Sequence, residues 1–509
     1  MQKVNFSERT KRLNNFFEPY YLWLILVLAS TLRLYQIAVR DFWYDEAFTG
    51  VAVKEKFPDM LHMIINDIHP PLYYVSLKIF SSFFDYSVYG IRLFSAILGV
   101  LSVWAVYLFA KELYDKRAGL FAAFVAAISP FAIQYSQEAR MYSMLSFLLI
   151  MAAYFFLKAL KTNETKNYIF WGVFLGLAGL THYMGIVFSA TFYLVYLVWN
   201  IFDEKDHHQE FGFQTLKKFI PSAGILWGYF SALLVFSFWI EKFYRHITDL
   251  GDNLKWVRPA NLGDIFWNIQ MFLFGTPLGE MSSGMPNPNA FYGIQQTSVL
   301  SGLTVLITGI IIYLFMKDRK KTAVLLVFSF GFFGIVYVLS LLGKHYFVSR
   351  YLVPGAYFIF TLLGIWLSRI RWRYVTSTFA LYGILLFFVA HLGFSTGWNI
   401  LQANSGKYKN KNFYILTSFD YVIAKYYLGE NRLHLYNIDW PIYNPSYWAA
   451  IGPNLKRVES FDAVANDPNA LIVSNTPLVS KHSIDQSFSY GRLKLVDSYN
   501  NILVYRIKK

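Results

Sequence analysis

The stretch that decides the fold of this chain is Arg40-Asp-Phe-Trp-Tyr-Asp-Glu-Ala-Phe-Thr49, which follows the first long apolar segment. It places the carboxylates of Asp41, Asp45 and Glu46 at the edge of that segment, next to the aromatic residues Phe42–Tyr44. Carboxylates beside a bilayer are costly unless water, a metal or a partner group takes them, and aromatic residues anchor a chain at headgroup depth. We interpret the stretch as the acidic half of an active site at the outer face of a membrane. A solvated acidic loop is the alternative, and this stretch alone would favour it.

The composition indicates an integral membrane protein. The 509-residue chain is 56% hydrophobic and 15% charged, whereas soluble domains carry about 25% charged residues. It contains no cysteine, which excludes disulfides and thiolate chemistry. A bilayer requires roughly 20 apolar residues per helix, and the candidate segments are residues 17–37, 88–110, 118–135, 141–160, 168–181, 184–202, 219–240, 296–316, 322–342, 351–368 and 374–395.

The placement of basic residues predicts the orientation of these segments. If the N-terminus is cytoplasmic and residues 72–84 form an interfacial helix, every connection assigned to the cytoplasm is basic, as the positive-inside rule requires. If residues 72–84 crossed the bilayer, the same basic connections would lie outside. The pattern therefore predicts a multi-pass cell-membrane protein with about eleven transmembrane helices and an extracytoplasmic C-terminus. The net charge of +15 is then orientation charge near anionic lipid, and no nucleic-acid partner is expected.

The chain divides by composition into a transmembrane domain, residues 1–395, and a smaller region, residues 396–509. The second region has short apolar runs separated by turn residues, which predicts a small extracytoplasmic α/β domain. Residues 50–68 have the character of an amphipathic or irregular loop. The predicted strands are Phe413–Leu416, Ala470–Val473 and Ile502–Tyr505, and the predicted helix is Asp420–Leu428.

A second acidic site lies in Ser136–Tyr142, between two spans on the same predicted face as Asp45. Its Glu138 and Arg140 form a local ion pair in the simplest interpretation, but two outer loops with a carboxylate at membrane level favour a shared site. One carboxylate can take a proton from an attacking hydroxyl. The second can hold a divalent cation, and oxygen ligands suit Mg²⁺ or Mn²⁺. Asp45 and Glu138 are the candidate metal ligands, although two carboxylates are too few to establish a metal.

Basic and histidine side chains on the same predicted face supply candidate phosphate ligands. Arg350 begins a span at its outer end, and its planar guanidinium matches phosphate oxygens; snorkelling to lipid headgroups is an equal alternative. Arg92 lies within the outer end of another span and carries the same two alternatives. His69 precedes two prolines and is retained as a candidate, although a single histidine is more often structural.

Five motifs occur in an order that resembles the polytopic glycosyltransferase family 39, the relatives of protein O-mannosyltransferases and of the lipid A aminoarabinose transferase. The resemblance covers about residues 30–195 and 345–356. The motifs are Tyr44-Asp-Glu-Ala-Phe48, His69-Pro-Pro-Leu-Tyr-Tyr74, Arg92-Leu-Phe-Ser-Ala96, Ser136-Gln-Glu-Ala-Arg-Met-Tyr142 and Ser349-Arg-Tyr-Leu-Val-Pro354.

The resemblance implies a GT-C fold, which is an all-α polytopic membrane bundle, and inverting transfer of a sugar from a polyprenyl-phosphate donor to an acceptor hydroxyl on the outer face. The acceptor could be a protein, a glycolipid or a cell-wall polymer. Asp45, in its pair with Glu46, would be the base, and Glu138 would assist it or bind a metal. Arg350 would meet the donor phosphate. The candidate substrate-binding residues are His69, Arg92, Arg140, Tyr142, Lys344, His345, Arg350 and Tyr351.

Two other classes of protein remain as alternatives. A membrane transporter or lipid flippase would need charged or broken helices near the middle of the bilayer, but the charges here cluster at helix ends. A membrane-anchored binding protein would leave the Asp45 and Glu138 loops unexplained. The enzyme interpretation requires both carboxylates to face one cavity open to the non-cytoplasmic side.

Overall fold

The computed structural model describes most of the chain. The chain divides into two compact units, each of which is described by itself. The helical unit comprises residues 1–35, 95–277 and 287–390, and the mixed unit comprises residues 36–94, 278–286 and 391–509. The predicted boundary at residue 395 stays a prediction, but the mixed unit groups residues 36–94 with the C-terminal region. The described residues are 6–67, 69–202, 219–249, 259–274, 294–344, 346–370, 377, 383, 397–436, 455–458, 460–474, 493–500 and 502–508.

The helical unit is built from long apolar helices. Several begin at a side-chain cap that satisfies the free N–H groups of the first turn: Asp115, Ser222 and Asp318 each accept a backbone N–H. The helices are α1 (Phe6–Leu34), α5 (Val88–Leu113, which begins in the mixed unit), α6 (Lys116–Ile128), α7 (Pro130–Ser136), α8 (Tyr142–Thr162), α9 (Thr165–Thr181), α10 (Met184–Ile201), α11 (Ala223–Phe236), α12 (Ile240–Asp249), α13 (Leu262–Phe274), α14 (Ile294–Lys317), α15 (Arg319–Leu326), α16 (Phe332–Leu339) and α17 (Val353–Arg369).

The lengths of these helices support a multi-pass membrane protein. Within the described ranges, five helices are long and apolar enough to cross a bilayer, or six if the bent pair α6–α7 forms one span. The predicted number of about eleven stays a prediction, and most of the expected last span, residues 374–395, lies outside the described residues. The shorter apolar helices are Tyr20–Leu34, Leu72–Phe84, Val305–Lys317 and Val353–Arg369.

A break between α6 and α7 shapes the second acidic loop. The two helices meet at 65°, because Pro130 has no N–H to donate to the Ala126 carbonyl four residues earlier. The buried Arg33 side chain replaces that donor: Nη2 lies 3.2 Å from the Ala126 oxygen, and Nη1 lies 3.0 Å from the Ala127 oxygen. Arg33 Nε also donates to the Ser136 hydroxyl at 3.1 Å. Arg33 therefore stabilises a helix break and does not snorkel.

The loop that follows α7 is also attached to the end of α1. The Gln137 amide nitrogen lies 3.4 Å, 3.2 Å and 2.9 Å from the carbonyl oxygens of Leu32, Arg33 and Tyr35. Carbonyls at the end of a helix are commonly satisfied by side-chain donors, and Gln137 supplies such a donor here. Glu138, the next residue, is thus held at a fixed point of the helical unit.

The mixed unit contains the acidic stretch and the predicted α/β region. Its first helices are short: α2 (Tyr44–Lys54), α3 (Phe57–Ile65) and α4 (Leu72–Ser81). The described part of residues 50–68 is therefore largely helical, not irregular. The ten residues of α4 extend only about 15 Å at 1.5 Å per residue, which is half the thickness of a bilayer core, so α4 is too short to cross.

Within its described residues, the C-terminal part of the mixed unit contains a six-stranded sheet with helices, in agreement with the predicted α/β region. The strand order is β3-β2-β1-β4-β6-β5; β1 to β4 pair in parallel, whereas β6 pairs antiparallel with β4 and β5. The elements are α18 (Gly397–Ala403), β1 (Asn412–Ile415), α19 (Ser418–Leu428), β2 (Leu433–Tyr436), β3 (Arg457–Val458), α20 (Phe461–Ala465), β4 (Ala470–Ser474), β5 (Leu493–Tyr499) and β6 (Ile502–Ile507).

Candidate active site

The second carboxylate of the acidic stretch is paired inside the mixed unit. Glu46 is completely buried, and its Oε1 and Oε2 atoms accept hydrogen bonds from Arg92 Nε at 2.8 Å and Nη2 at 2.7 Å. Glu46 Oε2 also lies 3.4 Å from the backbone nitrogen of Trp43, the residue directly before α2. A bidentate pair of this kind fixes geometry as well as charge. The geometry favours a structural role for Glu46 over the predicted catalytic one.

Arg92 uses its whole guanidinium on the protein. Besides the two bonds to Glu46, Nη1 donates to the carbonyl oxygens of Ile37 at 3.0 Å and Arg40 at 2.7 Å, and Nη2 donates to that of Asp41 at 3.0 Å. An arginine has five N–H donors, so each of the five is matched to a protein oxygen. A phosphate would have to displace one of these oxygens. The geometry therefore favours Arg92 as a positioning residue over the predicted substrate ligand.

Asp45 differs from its neighbours in the same stretch. Asp41 and Glu46 are both buried. Asp45 is half-buried in the first turn of α2. Of the three carboxylates, Asp45 is therefore the one whose side chain a substrate can reach most readily.

His69, the other predicted site residue of the mixed unit, has a carboxylate partner. Its Nδ1 atom lies 2.8 Å from Asp67 Oδ2, and both residues are buried. A carboxylate on Nδ1 fixes the orientation of the ring. The predicted role of His69 in substrate binding stays a prediction, now with Asp67 as the residue that orients its ring.

In the helical unit, Glu138, Tyr142 and Arg350 are brought together around Tyr135. The Tyr135 hydroxyl interacts electrostatically with Glu138, Tyr142 and Arg350, and the rings of Tyr135 and Tyr142 lie 5.4 Å apart. Glu138 is buried, and its carbonyl accepts the Arg140 N–H at 2.8 Å. Two motifs about two hundred residues apart in the sequence thus share one neighbourhood.

His182 and Tyr351 extend this neighbourhood. The His182 ring lies 6.1 Å from that of Tyr142 and 5.1 Å from that of Tyr351. Its Nδ1 atom accepts the Met184 N–H at 3.1 Å, so a neutral ring carries its proton on Nε2. Neither His182 nor Tyr135 was among the predicted site residues. The position of Tyr135 directly before the Ser136–Tyr142 motif is a signal that could have identified it.

Arg350 lies at the start of a long helix. It occupies a short 3₁₀ turn, Ser349–Tyr351, directly before α17, and its guanidinium carbon lies 5.8 Å from the centre of the Tyr351 ring. A helix N-terminus favours anions, so helix and guanidinium together suit a phosphate. Arg140 is buried in the second acidic loop, and Lys344 ends a π-helical turn. His345 lies outside the described residues.

The predicted metal site is a separate question. Among the described residues, no group of three or more His, Cys, Asp or Glu side chains is placed to hold a metal ion. A cation at Asp45 and Glu138 stays a prediction, and we derive no chemical step through it.

Comparisons with known proteins agree with the resemblance. The family model of dolichyl-phosphate-mannose-protein mannosyltransferases matches residues 68–239, which include the His69, Arg92 and Ser136–Tyr142 motifs. A putative mannosyltransferase, YkcB of Bacillus subtilis (strain 168), is 27% identical over 152 residues, which are 28% of this chain and 21% of that protein. The aligned region is thus about a fifth of the relative's length.

Two solved structures share the fold over nearly the whole chain. ArnT from Cupriavidus metallidurans, bound to undecaprenyl phosphate, has a TM-score of 0.60 at 13% identity, covering 95% of this chain and 97% of that one. The apo state of the same protein has a TM-score of 0.60 at 12% identity, covering 96% and 98%. The fold is therefore of the GT-C type, with a small C-terminal sheet. The chain is related to the membrane glycosyltransferases of family 39, as its motifs predicted.

Proposed function

We propose that this chain is an integral membrane glycosyltransferase that moves a sugar from a polyprenyl-phosphate donor to an acceptor hydroxyl at the outer face, with inversion. The observation that carries the proposal is the difference in burial between Glu46 and Asp45 in the acidic stretch. Arg92 neutralises Glu46 and holds the backbone, whereas Asp45 lies half-buried at the start of α2. The family match over residues 68–239 supports the same class of reaction.

The reaction is a single displacement at the anomeric carbon. Asp45 takes the proton of the acceptor hydroxyl as the acceptor oxygen bonds to the anomeric carbon. The bond from that carbon to the phosphate oxygen breaks, and the polyprenyl phosphate leaves with the electron pair. Attack from the face opposite the leaving group inverts the centre, as in one-step carboxylate-assisted glycosyl transfer to water.

The leaving phosphate carries the negative charge of the reaction, and Arg350 is our candidate to receive it. Its place before α17 adds the positive end of a helix to the guanidinium charge. The same unit contains a cluster of aromatic rings that suits a sugar face or an isoprenoid chain; its members are Tyr135, Tyr142, His182 and Tyr351. The predicted assistance of the base by Glu138 is also part of this proposal. The orientation with a cytoplasmic N-terminus is part of this proposal.

The test incubates the purified protein with a panel of polyprenyl-phosphate sugars and measures the lipid phosphate that is released. Asp45→Asn should lower the rate by about 10²–10⁴-fold, the usual contribution of a general base, without loss of yield. Asp59→Asn is the matched control, since Asp59 is an exposed residue of the neighbouring helix α3, and it should keep full activity. Full activity of Asp45→Asn would remove Asp45 as the base.

A further inference from the structure

The acidic stretch of the mixed unit contacts the C-terminal region directly. The Asp41 carboxylate accepts two backbone N–H groups: Oδ2 lies 2.9 Å from Trp398 N, and Oδ1 lies 2.9 Å from Asn399 N. The Asn399 side chain also donates to the Val39 carbonyl at 3.2 Å. Because both carboxylate oxygens are used, Asp41 acts as a fixed link between the stretch and α18.

A second link lies one residue further along the stretch. The Phe42 N–H donates to the Tyr427 hydroxyl at 2.9 Å, and the Phe42 ring lies 4.7 Å from that of Tyr426 and 6.3 Å from that of Tyr427. Burial raises the pKa of Tyr427 above that of a free tyrosine, so its hydroxyl stays protonated. These contacts fix the backbone just before α2.

Helix α2 itself rests on the same tyrosine pair. A Cβ atom at Gly50 would lie 2.7 Å from two ring carbons of Tyr426, so only glycine permits this approach. Lys54 Nζ lies 3.6 Å from the centre of the Tyr426 ring and donates to the Tyr426 carbonyl at 3.2 Å. The Tyr426 hydroxyl donates to the Tyr86 carbonyl at 3.0 Å. The C-terminal half of α2 and the residue Phe42 before it are therefore both held by α19.

We infer that Trp398, Asn399, Tyr426 and Tyr427, named here the C-terminal clamp, are positioning residues that set the conformation of the stretch that carries Asp45. The clamp holds Asp41 and Phe42, whereas Arg92 holds Asp41 through its carbonyl and Glu46 through its carboxylate. Asp45 lies between these anchored residues. The C-terminal region thereby positions the residue that we propose as the base, in addition to any contact that it makes with the acceptor. The inference rests on the proposed role of Asp45.

The test is Tyr427→Phe in the purified full chain. The variant keeps the ring and removes the oxygen that accepts the Phe42 N–H, which leaves a buried donor without its acceptor. We expect kcat about tenfold lower, equivalent to about 1.4 kcal/mol, with the donor KM within about twofold of wild type. We also expect hydrogen exchange at residues 42–46 to be about tenfold faster.

The matched control is Tyr414→Phe. Tyr414 lies on β1 and donates its hydroxyl to Asp467 at 2.9 Å, so the variant loses one hydroxyl hydrogen bond of the same C-terminal region away from the acidic stretch. It should lower thermal stability without changing kcat or the exchange of residues 42–46. Asn399→Ala, which removes only the bond to Val39, provides a milder second variant and should lower kcat about threefold.

Two outcomes overturn the inference: Tyr427→Phe indistinguishable from Tyr414→Phe in kcat and exchange, or faster exchange with unchanged kcat. Failure of the proposed function is separable, because it would appear as activity retained by Asp45→Asn. In that case the rate of amide hydrogen exchange at residues 42–46 still shows whether the C-terminal clamp fixes the acidic stretch.

Discussion

Removing the Arg92 side chain should be one of the most damaging single changes in the mixed unit. Arg92→Met leaves the Glu46 carboxylate buried without its partner, a loss of about 3–5 kcal/mol for a broken buried pair. It also removes the donor from three backbone carbonyls, each worth about 1–3 kcal/mol when left unsatisfied. We expect the free energy of unfolding of the mixed unit to fall by at least about 5 kcal/mol in total, which corresponds to a decrease of more than about 10 °C in Tm.

The assay is thermal unfolding in detergent, followed by tryptophan fluorescence. The double variant Glu46→Leu/Arg92→Met removes both charges but leaves the three carbonyls without donors, so its Tm should fall between Arg92→Met and wild type. Arg369→Met is the control: Arg369 Nη2 lies 2.7 Å from Asp115 Oδ2 in a pair that is 39% and 41% exposed. An exposed pair contributes at most about 1 kcal/mol. An Arg92→Met protein as stable as Arg369→Met would refute the reasoning.

Three further changes have defined outcomes. Burial raises the pKa of Asp420 to about 6 from 3.8. Between these two pH values the folded state binds more protons than the unfolded state, so the free energy of unfolding falls as the pH rises. Asp420→Asn should make Tm less dependent on pH between pH 4 and 7 and should raise Tm at pH 7. Arg33→Met leaves the carbonyls of the α6–α7 break without donors and should cost about 2–5 kcal/mol, measured as lost thermal stability, whereas an unchanged Tm would contradict the role given to Arg33. Arg350→Ala should raise the donor KM at least about tenfold, from the loss of one charge-assisted phosphate contact, and wild-type rates at limiting donor would exclude that contact.

Local sequence patterns were enough for the class of fold and for much of the C-terminal region. Long apolar runs predict membrane helices because a bilayer leaves few alternatives for unpaired backbone groups. The three strands predicted from apolar runs correspond to β1, β4 and β6, and the predicted helix corresponds to α19. Strand β2 was missed because it is a four-residue run that His434 interrupts. Strands β3 and β5 were missed because β3 has only two residues and β5 is largely exposed, with many polar residues. Neither gives an apolar signal.

The sequence by itself determined which charged residues its motifs carry: the carboxylates at positions 45, 46 and 138, and the arginines at positions 92 and 350. Only the tertiary structure decided their partners. Glu46 and Arg92 are 46 residues apart, and Asp41 and Trp398 are 357 apart, and no local pattern encodes such pairs. A buried charge is stable only beside its partner. The fold therefore pairs the buried Glu46 with Arg92 and leaves Asp45 half-buried, although the sequence presents the two carboxylates as equivalent.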